Sequence, residues 1–461
     1  MSQKSPVDNP PFAGERMSDT GLDADYNLLV DLLDGAIGLD DITDIHPADF
    51  SDQFEQLTPE QRERLITGAP QIISPDILSY LEDEVVEDIL PLLPSDQLAQ
   101  AISELDNDDA TQIIEEMEDE QREEILGALP SADRAQLEAS LKFEDETIGR
   151  LMQREFVASP EFWTVGSTID HMRATGEDLP EIFFNVYVVD PTFKPLGYVN
   201  LSRLMRAPRA MLLSELMEPL LAKIPQEMDQ EEAAYLFQKY SLISAPVVDA
   251  SGRLVGMMTV DDIIEIIQTE NTEDILALAG VSDAGLTDTA ATVFKARAPW
   301  LFVNLLTAIL ASIVIAQFDY AINQIVALAV LMPIVASMGG NAGTQALTVA
   351  VRALSERDLT PQNAWRAVRR EAVAALLIGI VFAVALAIIA YVWFGDTRLA
   401  GVAFVAMIIN HVFAGLAGIL VPLGLKRFGA DPAVSSSVFV TTVTDVIGFF
   451  SFLGFAAMVL L

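Results

Sequence analysis

Apolar positions along the chain fall into three regimes. From about Asp25 to Lys142 they recur at helical spacing, as in Phe54 and Leu57, Ile89 and Leu92, Ile102 and Leu105, and Ile113 and Ile114. This predicts a run of short amphipathic helices, each burying one face. Leu93-Pro94-Ser95 and Leu129-Pro130-Ser131 punctuate the run, closing one helix and starting the next. Between residues 151 and 270 the pattern changes to β-branched runs around glycine-containing turns, which predicts strand, turn and strand flanked by helices. From Trp300 onward five apolar stretches, roughly 299–318, 321–350, 370–394, 400–424 and 433–460, each reach the ~20 residues needed to cross a bilayer.

The predicted fold is therefore multidomain. An all-α superhelical domain over 25–142 follows a disordered tail over 1–24, whose polar residues and Pro10-Pro11 lack the apolar core of a signal peptide. An α/β region follows over 143–270, then an acidic connecting helix and linker over 261–297. An α-helical transmembrane domain of five helices occupies 298–461.

The α/β region repeats internally. Val188-Val189-Asp190 recurs as Val247-Val248-Asp249 and Gly197 as Gly256, while Leu151-Met152 recurs as Leu216-Met217 at a slightly longer offset. The unit resembles a tandem pair of CBS domains, about 151–210 and 216–270. CBS modules that hold a nucleotide commonly carry Ser/Thr-x-x-Asp, which the second unit has from Thr259 to Asp262. The first unit reads Asn200 to Arg203, so ATP at the pair is a weak expectation.

Basic residues orient the spans. Lys295 and Arg297 precede the first, Arg352, Arg357, Arg366, Arg369 and Arg370 lie between the second and third, and Lys426 and Arg427 follow the fourth. The other side offers only Arg398. The positive-inside rule then places the N-terminus in the cytoplasm and the C-terminus in the periplasm of an inner-membrane protein.

Charge sharpens the partner. Of 67 acids and 27 bases, only seven and eight lie from residue 298 onward, so the whole negative excess is N-terminal. Such a surplus repels nucleic acid and attracts cations. Without cysteine there is neither a disulfide framework nor a thiolate metal site. No nucleophile–base pairing or phosphate-binding glycine loop points to an enzyme.

Three polar groups interrupt the apolar spans. Asp445 lies well inside the last, in Thr441-Thr442-Val443-Thr444-Asp445. An isolated carboxylate at that depth costs about 3 kcal/mol on insertion scales and marks a functional or water-facing site, unless the neighbouring threonines satisfy it. Gly339-Gly340-Asn341-Ala342-Gly343-Thr344-Gln345, preceded by Pro333, can present backbone oxygens to a hydrated ion, or can serve close helix packing. Asn410-His411 reads first as a hydrogen-bonded packing pair. Oxygen ligands with one carboxylate suit a hard cation, magnesium in particular, although cobalt and manganese stay open.

Pro333, the Gly-Gly-Asn-Ala-Gly-Thr-Gln run, Arg352-Ala353-Leu354, and Asp431-Pro432 followed by Thr442-Val443-Thr444-Asp445 resemble the signature of the MgtE magnesium channels. The resemblance implies a homodimer in the lipid bilayer with one pore between subunits. Its filter would be built from Asp445, Gly340, Asn341 and Thr344, with Mg2+ as both substrate and regulator. It also implies closure by cytosolic magnesium at Asp108, Asp229, Glu231, Asp261, Asp262, Glu265, Glu270, Glu273, Asp274 and Asp431. A solvated helix face is the alternative for each of these acids, and a membrane-anchored CBS sensor without transport is the alternative for the whole.

Overall fold

The computed structural model describes residues 27–42, 45–176, 179–180, 182–281, 290–360, 362–433 and 436–461; the tail expected over 1–24 lies outside them. The chain forms two compact units, Met1–Met228 with Ser244–Met258, and Asp229–Ile243 with Thr259–Leu461.

In the first unit short helices succeed one another from Leu28–Leu33 to Ser131–Ser140, each no longer than three turns. Local chemistry sets their starts. Thr58 and Gln61 cap Pro59–Gly68 reciprocally, and Ser74 Oγ accepts from the Ile77 amide at 3.3 Å. The apolar faces merge into one core that includes Phe54, Ile66, Ile89, Ile102, Ile114 and Ile125.

Helix ends reveal a repeat that hydropathy alone does not expose. Glu60-Gln61-Arg62-Glu63 recurs as Glu120-Gln121-Arg122-Glu123. Arg62 donates to the carbonyls of Phe54 and Glu55, and Arg122 to those of Ile114 and Glu115, each pair at the same offset, with Met117 added at 3.0 Å. Each guanidinium thus adds charge-assisted donors to the carbonyls at the end of the preceding helix. Arg122→Ala removes the side-chain donors from three carbonyls, those of Ile114, Glu115 and Met117. It is expected to destabilise the helical domain by roughly 2 kcal/mol, read as a lower urea midpoint at an unchanged slope.

The α/β region explains its own sequence anchors. Strands Ala158–Pro160, Asn185–Val189, Pro195–Asn200 and Glu218–Pro219 form one sheet in chain order, the first pair parallel and the others antiparallel. A second sheet holds Ile224–Pro225, Ser244–Val248 and Leu254–Thr259. Asp190 and Asp249 close equivalent hairpin turns. Asp190 Oδ1 accepts from the Thr192 and Lys194 amides and the Thr192 hydroxyl, and Asp249 Oδ1 accepts from the Ser251 and Arg253 amides and the Ser251 hydroxyl. These bonds favour the ionised form and hold both carboxyls below their usual range.

The glycines and methionines cross between the two halves. A Cβ on Gly197 would lie 2.5 Å from the Glu218 carbonyl and 3.0 Å from Met217 Sδ; one on Gly256 would lie 2.7 Å from both the Gln153 carbonyl and Met152 Sδ. Gln153 and Met257 exchange backbone hydrogen bonds at this contact. The recurring Leu-Met and Gly anchors are therefore two equivalent crossings of one pseudo-symmetric pair.

The second unit contains helices Gln230–Tyr240 and Val260–Ala279 and the membrane-type bundle. Among the described residues five helices are long and apolar enough to cross a bilayer: Val293–Ala316, Ala327–Ser355, Ala364–Phe394, Thr397–Arg427 and Ser437–Leu460. The stretch expected as one span over 321–350 is divided, with Asp319–Gln324 forming a separate short helix before the second span. Its break at Ile325 involves neither Gly nor Pro, so apolar continuity masks it. The fourth span is the most buried and packs against the second, third and fifth. Small residues allow this: Gly415 meets Ala375 of the third span, and Gly418 meets Ala346 of the second. The first span is the least buried.

Candidate ion path and sensor site

The second span runs unbroken through Pro333 and the glycines, so the oxygens of Gly340 and Asn341 belong to a regular helix rather than to an opened backbone. Periodicity then divides the glycines by task. Gly339 and Gly343 are buried: a Cβ on Gly339 would collide with Asn410, and one on Gly343 would stand 2.6 Å from Val440 Cγ1. Gly340 points into open space. Asn341, Thr344, Gln345 and Thr348 follow at i, i+3, i+4 and i+7 and are all exposed, forming one polar stripe. Thr348 is a member that the sequence motif does not include. The Thr344 hydroxyl donates to the Gly340 carbonyl at 3.0 Å, and Thr348 to that of Thr344 at 3.0 Å.

Asp445 is half-buried on the fifth span, one turn beyond the exposed Thr441. The threonines around it are occupied elsewhere: Thr441, Thr442 and Thr444 donate to the carbonyls of Ser437, Val438 and Thr441. Among the described residues none donates a hydrogen bond to the Asp445 carboxylate. Satisfaction by neighbouring threonines, the structural alternative for this residue, is thereby removed.

Asn410 and His411 point to different neighbours from the buried fourth span. Asn410 Nδ2 donates to the Val335 carbonyl at 2.8 Å, and its carboxamide fills the space left by Gly339 and Gly448. His411 Nδ1 lies 3.0 Å from the Met407 carbonyl, its ring stacked on Phe382. Each makes one hydrogen bond within the bundle and leaves a buried polar atom, Asn410 Oδ1 and His411 Nε2, without a partner among the described residues; Asn410 bridges the two spans that carry Asn341 and Asp445.

The acids expected to sense metal divide by position. Glu231, Glu270, Asp274 and Asp431 line one cavity of about 430 Å³, together with Tyr235, Ser355 and Lys426. They come from helix Gln230–Tyr240, helix Val260–Ala279 and the segment leading into the fifth span. Glu270 accepts from Gln230 Nε2 at 2.7 Å and Asp274 from Ser355 Oγ at 2.9 Å, while Lys426 Nζ donates to the Leu354 carbonyl at 3.2 Å. Burial, reinforced by Glu273, Glu231 and Asp229, pushes Glu270 up to about 7. Burial also raises Glu231 and Asp274, the latter with help from Asp431. These are mutually repelling carboxylates in a partly enclosed space.

The remaining acids do not line this cavity, although Asp229 and Glu273 lie close enough to act on Glu270. Asp229 caps helix Gln230–Tyr240, accepting from the Glu231 and Glu232 amides. Asp262 caps its own helix through Thr259 Oγ1 at 2.6 Å. That helix is continuous, so Asp262 and Glu273 stand about 16 Å apart along it and share no site, as do Asp261 and Asp274 at about 20 Å. Glu265 lies between the capped end and the cavity and does not line it. Asp108 belongs to helix Asn107–Glu115 of the first unit. Among the described residues no three His, Asp or Glu side chains are disposed to hold one ion directly. In the first CBS-like half Asn200 Oδ1 caps a helix through Ser202, and Arg203 pairs with Glu218.

Among the described residues, five helices long and apolar enough to cross a bilayer, one of them carrying a carboxylate that no other described residue of the chain bonds, together with a CBS-type module and an acidic helical domain, mark a membrane cation transporter. Residues 332–455 match the family model for MgtE, described as a divalent cation transporter, 45–146 that of the MgtE intracellular N domain, and 213–269 that of the CBS domain. The chain is 32% identical over 434 residues to the magnesium transporter MgtE of Thermus thermophilus, spanning 91% of this chain and 94% of that one. It is 29% identical over 416 residues to the MgtE of Bacillus subtilis, spanning 90% and 92%. Among solved structures, the cytosolic domain of the Mg2+ channel MgtE in complex with ATP aligns at 30% identity and a TM-score of 0.48, covering 52% of this chain and 98% of that one. The chain belongs to the MgtE family.

Proposed function

We infer that this protein carries magnesium ions across the inner membrane through a pore formed by two copies of the chain, and that cytosolic magnesium closes it. The Asp445 carboxylate carries this reading, because no described residue of its own chain donates a hydrogen bond to it. A second copy related by a two-fold axis would supply a second carboxylate and a second stripe of Asn341, Thr344, Gln345 and Thr348, enclosing a polar path that lipid would otherwise penalise. Asp445, Gly340, Asn341 and Thr344 form the filter in this reading. Magnesium sheds water reluctantly, so carboxylates and carbonyls address it through its hydration shell.

The cavity of Glu231, Glu270, Asp274 and Asp431 is the regulatory site we favour. A divalent ion there offsets the repulsion among its carboxylates and ties helix Val260–Ala279 to the segment that continues into the Asp445 span. Asp229 and Glu273 add to the cavity's negative field without lining it, and Asp108, Asp261, Asp262 and Glu265 contribute at separate positions. ATP at Thr259 and Asp262 would have to break their mutual capping. The basic loops support a cytoplasmic N-terminus.

Growth of a magnesium-requiring strain tests the reading. The wild-type gene should restore growth in low magnesium and Asp445→Asn should not; rescue by both would remove the carboxylate from the path. Glu270→Gln with Asp274→Asn should leave flux intact but shift closure to severalfold higher cytoplasmic-side magnesium.

Acid has a predictable sign. Glu270 titrates at about 7 in the folded protein against an ordinary 4.5, so the folded state binds the extra proton. Without magnesium, this contribution to stability should fall as pH rises from about 4.5 to about 7, then level off. Because magnesium needs the ionised form, the concentration that closes the pore should rise as pH is lowered from 8 to 6. A pH-independent closing concentration would place the site elsewhere.

A further inference from the structure

We propose that a groove of about 300 Å³, at the end of the bundle bearing the basic loop between the second and third spans, is a binding site for one phospholipid with an amine headgroup, phosphatidylethanolamine. The second and third spans both pack on the fourth but barely on each other, which leaves a cleft between them. Its floor and walls are apolar, made by Ala346, Ala350 and Ala353 of the second span and Ile419 of the fourth. An acyl chain fits such a lining, and water does not.

The mouth of the cleft carries Arg366, Arg370, Asp358 and Glu371. Among the described residues none of these four side chains forms an ion pair, whereas Arg352 a few residues away pairs with Glu356 at 2.9 Å. Two guanidinium groups and two carboxylates thus face one opening without neutralising each other. A headgroup holding a phosphate and a primary ammonium a few bonds apart bridges them: the phosphate bonds to the arginines, and the ammonium donates to the carboxylates. A purely anionic headgroup would leave Asp358 and Glu371 repelled, and a quaternary amine would offer them no N–H donor. Trp365, largely exposed beside Arg366, marks this level as the membrane interface. Basic pockets between spans at this depth are a recurrent setting for lipid headgroups.

The test is native mass spectrometry of the purified full-length protein, stripped of lipid and titrated with synthetic phosphatidylethanolamine, phosphatidylglycerol and phosphatidylcholine. One phosphatidylethanolamine per subunit should bind at least roughly tenfold tighter than phosphatidylcholine, the worth of one charge-assisted hydrogen bond. Arg366→Gln with Arg370→Gln should weaken it by a similar factor, and Glu371→Gln should erase the preference over phosphatidylcholine while leaving both lipids bound. Size-exclusion profiles confirm that the variants keep their assembly. Equal binding of all three lipids, a preference for phosphatidylglycerol, or indifference to the arginine substitutions would overturn the proposal. So would a disulfide between two copies of an Ala353→Cys variant that forms equally with and without lipid, because the groove would then be a subunit interface. Binding is read without flux, so failure here leaves the transport reading untouched.

Discussion

Asp445→Ala is expected to reduce magnesium flux by at least about a hundredfold while the protein remains folded and assembled. At an effective dielectric of about 20, a carboxylate about 4 Å from a hydrated ion contributes on the order of 4 kcal/mol per unit of ion charge before desolvation. Losing even about 3 kcal/mol of that from each passing ion exceeds two orders of magnitude. Folding should be spared, because no described residue relies on this carboxylate as a hydrogen-bond acceptor. Flux into proteoliposomes, with circular dichroism and size exclusion as controls, separates the two effects. Wild-type flux in the variant would return the polar stripe to a packing role.

Gly418→Leu should have the largest effect on the bundle itself. A Cβ there would lie 2.6 Å from Ala346 Cβ, 2.7 Å from the Gly343 carbonyl and 2.9 Å from the Leu347 amide nitrogen. Two of these obstacles are backbone, which cannot swing aside as a flexible side chain does. Overpacking of this kind typically costs about 1–3 kcal/mol, and a rigid helix–helix contact puts it at the upper end. The fourth span holds the second, third and fifth together, so the variant should lose its thermal midpoint in detergent and its flux together. Gly424→Leu, at a position with nothing near its Cβ, is the control expected to change little.

Much of this organisation was legible in the amino-acid pattern, and the misses have physical reasons. Hydropathy locates five spans because hydrocarbon leaves no alternative to long apolar helices. It placed the start of the third near residue 370, whereas the helix begins at Ala364, since its first turns carry Arg366 and Arg369 and leave the apolar core. The recurring Val-Val-Asp, Gly and Leu-Met anchors announced a repeat, but not that each methionine packs on the other half's glycine. That crossing is a tertiary fact.

Within the site, Asn341, Thr344 and Asp445 stood out because polar groups are costly in a membrane. Thr348 did not, since a threonine can satisfy itself on its own helix. The glycine run looked like one feature and serves two, packing at Gly339 and Gly343 and open space at Gly340. The acids were hardest to sort. Composition marks the whole segment as cation-attracting, but only three-dimensional placement separates Glu231, Glu270, Asp274 and Asp431 around a cavity from the capping residues Asp229 and Asp262. Arg62 and Arg122 carry no distinctive sequence signal, because they act on backbone carbonyls that sequence does not display.

The most direct test of the central claim is magnesium flux into proteoliposomes holding the wild-type protein, with magnesium on the side of the acidic domains varied and cobalt and calcium offered as competitors. The account predicts flux that falls as magnesium on that side rises and that calcium does not replace. An absence of flux at every magnesium concentration, from protein shown to be folded and inserted, would contradict it and leave the spans as an anchor for a metal sensor.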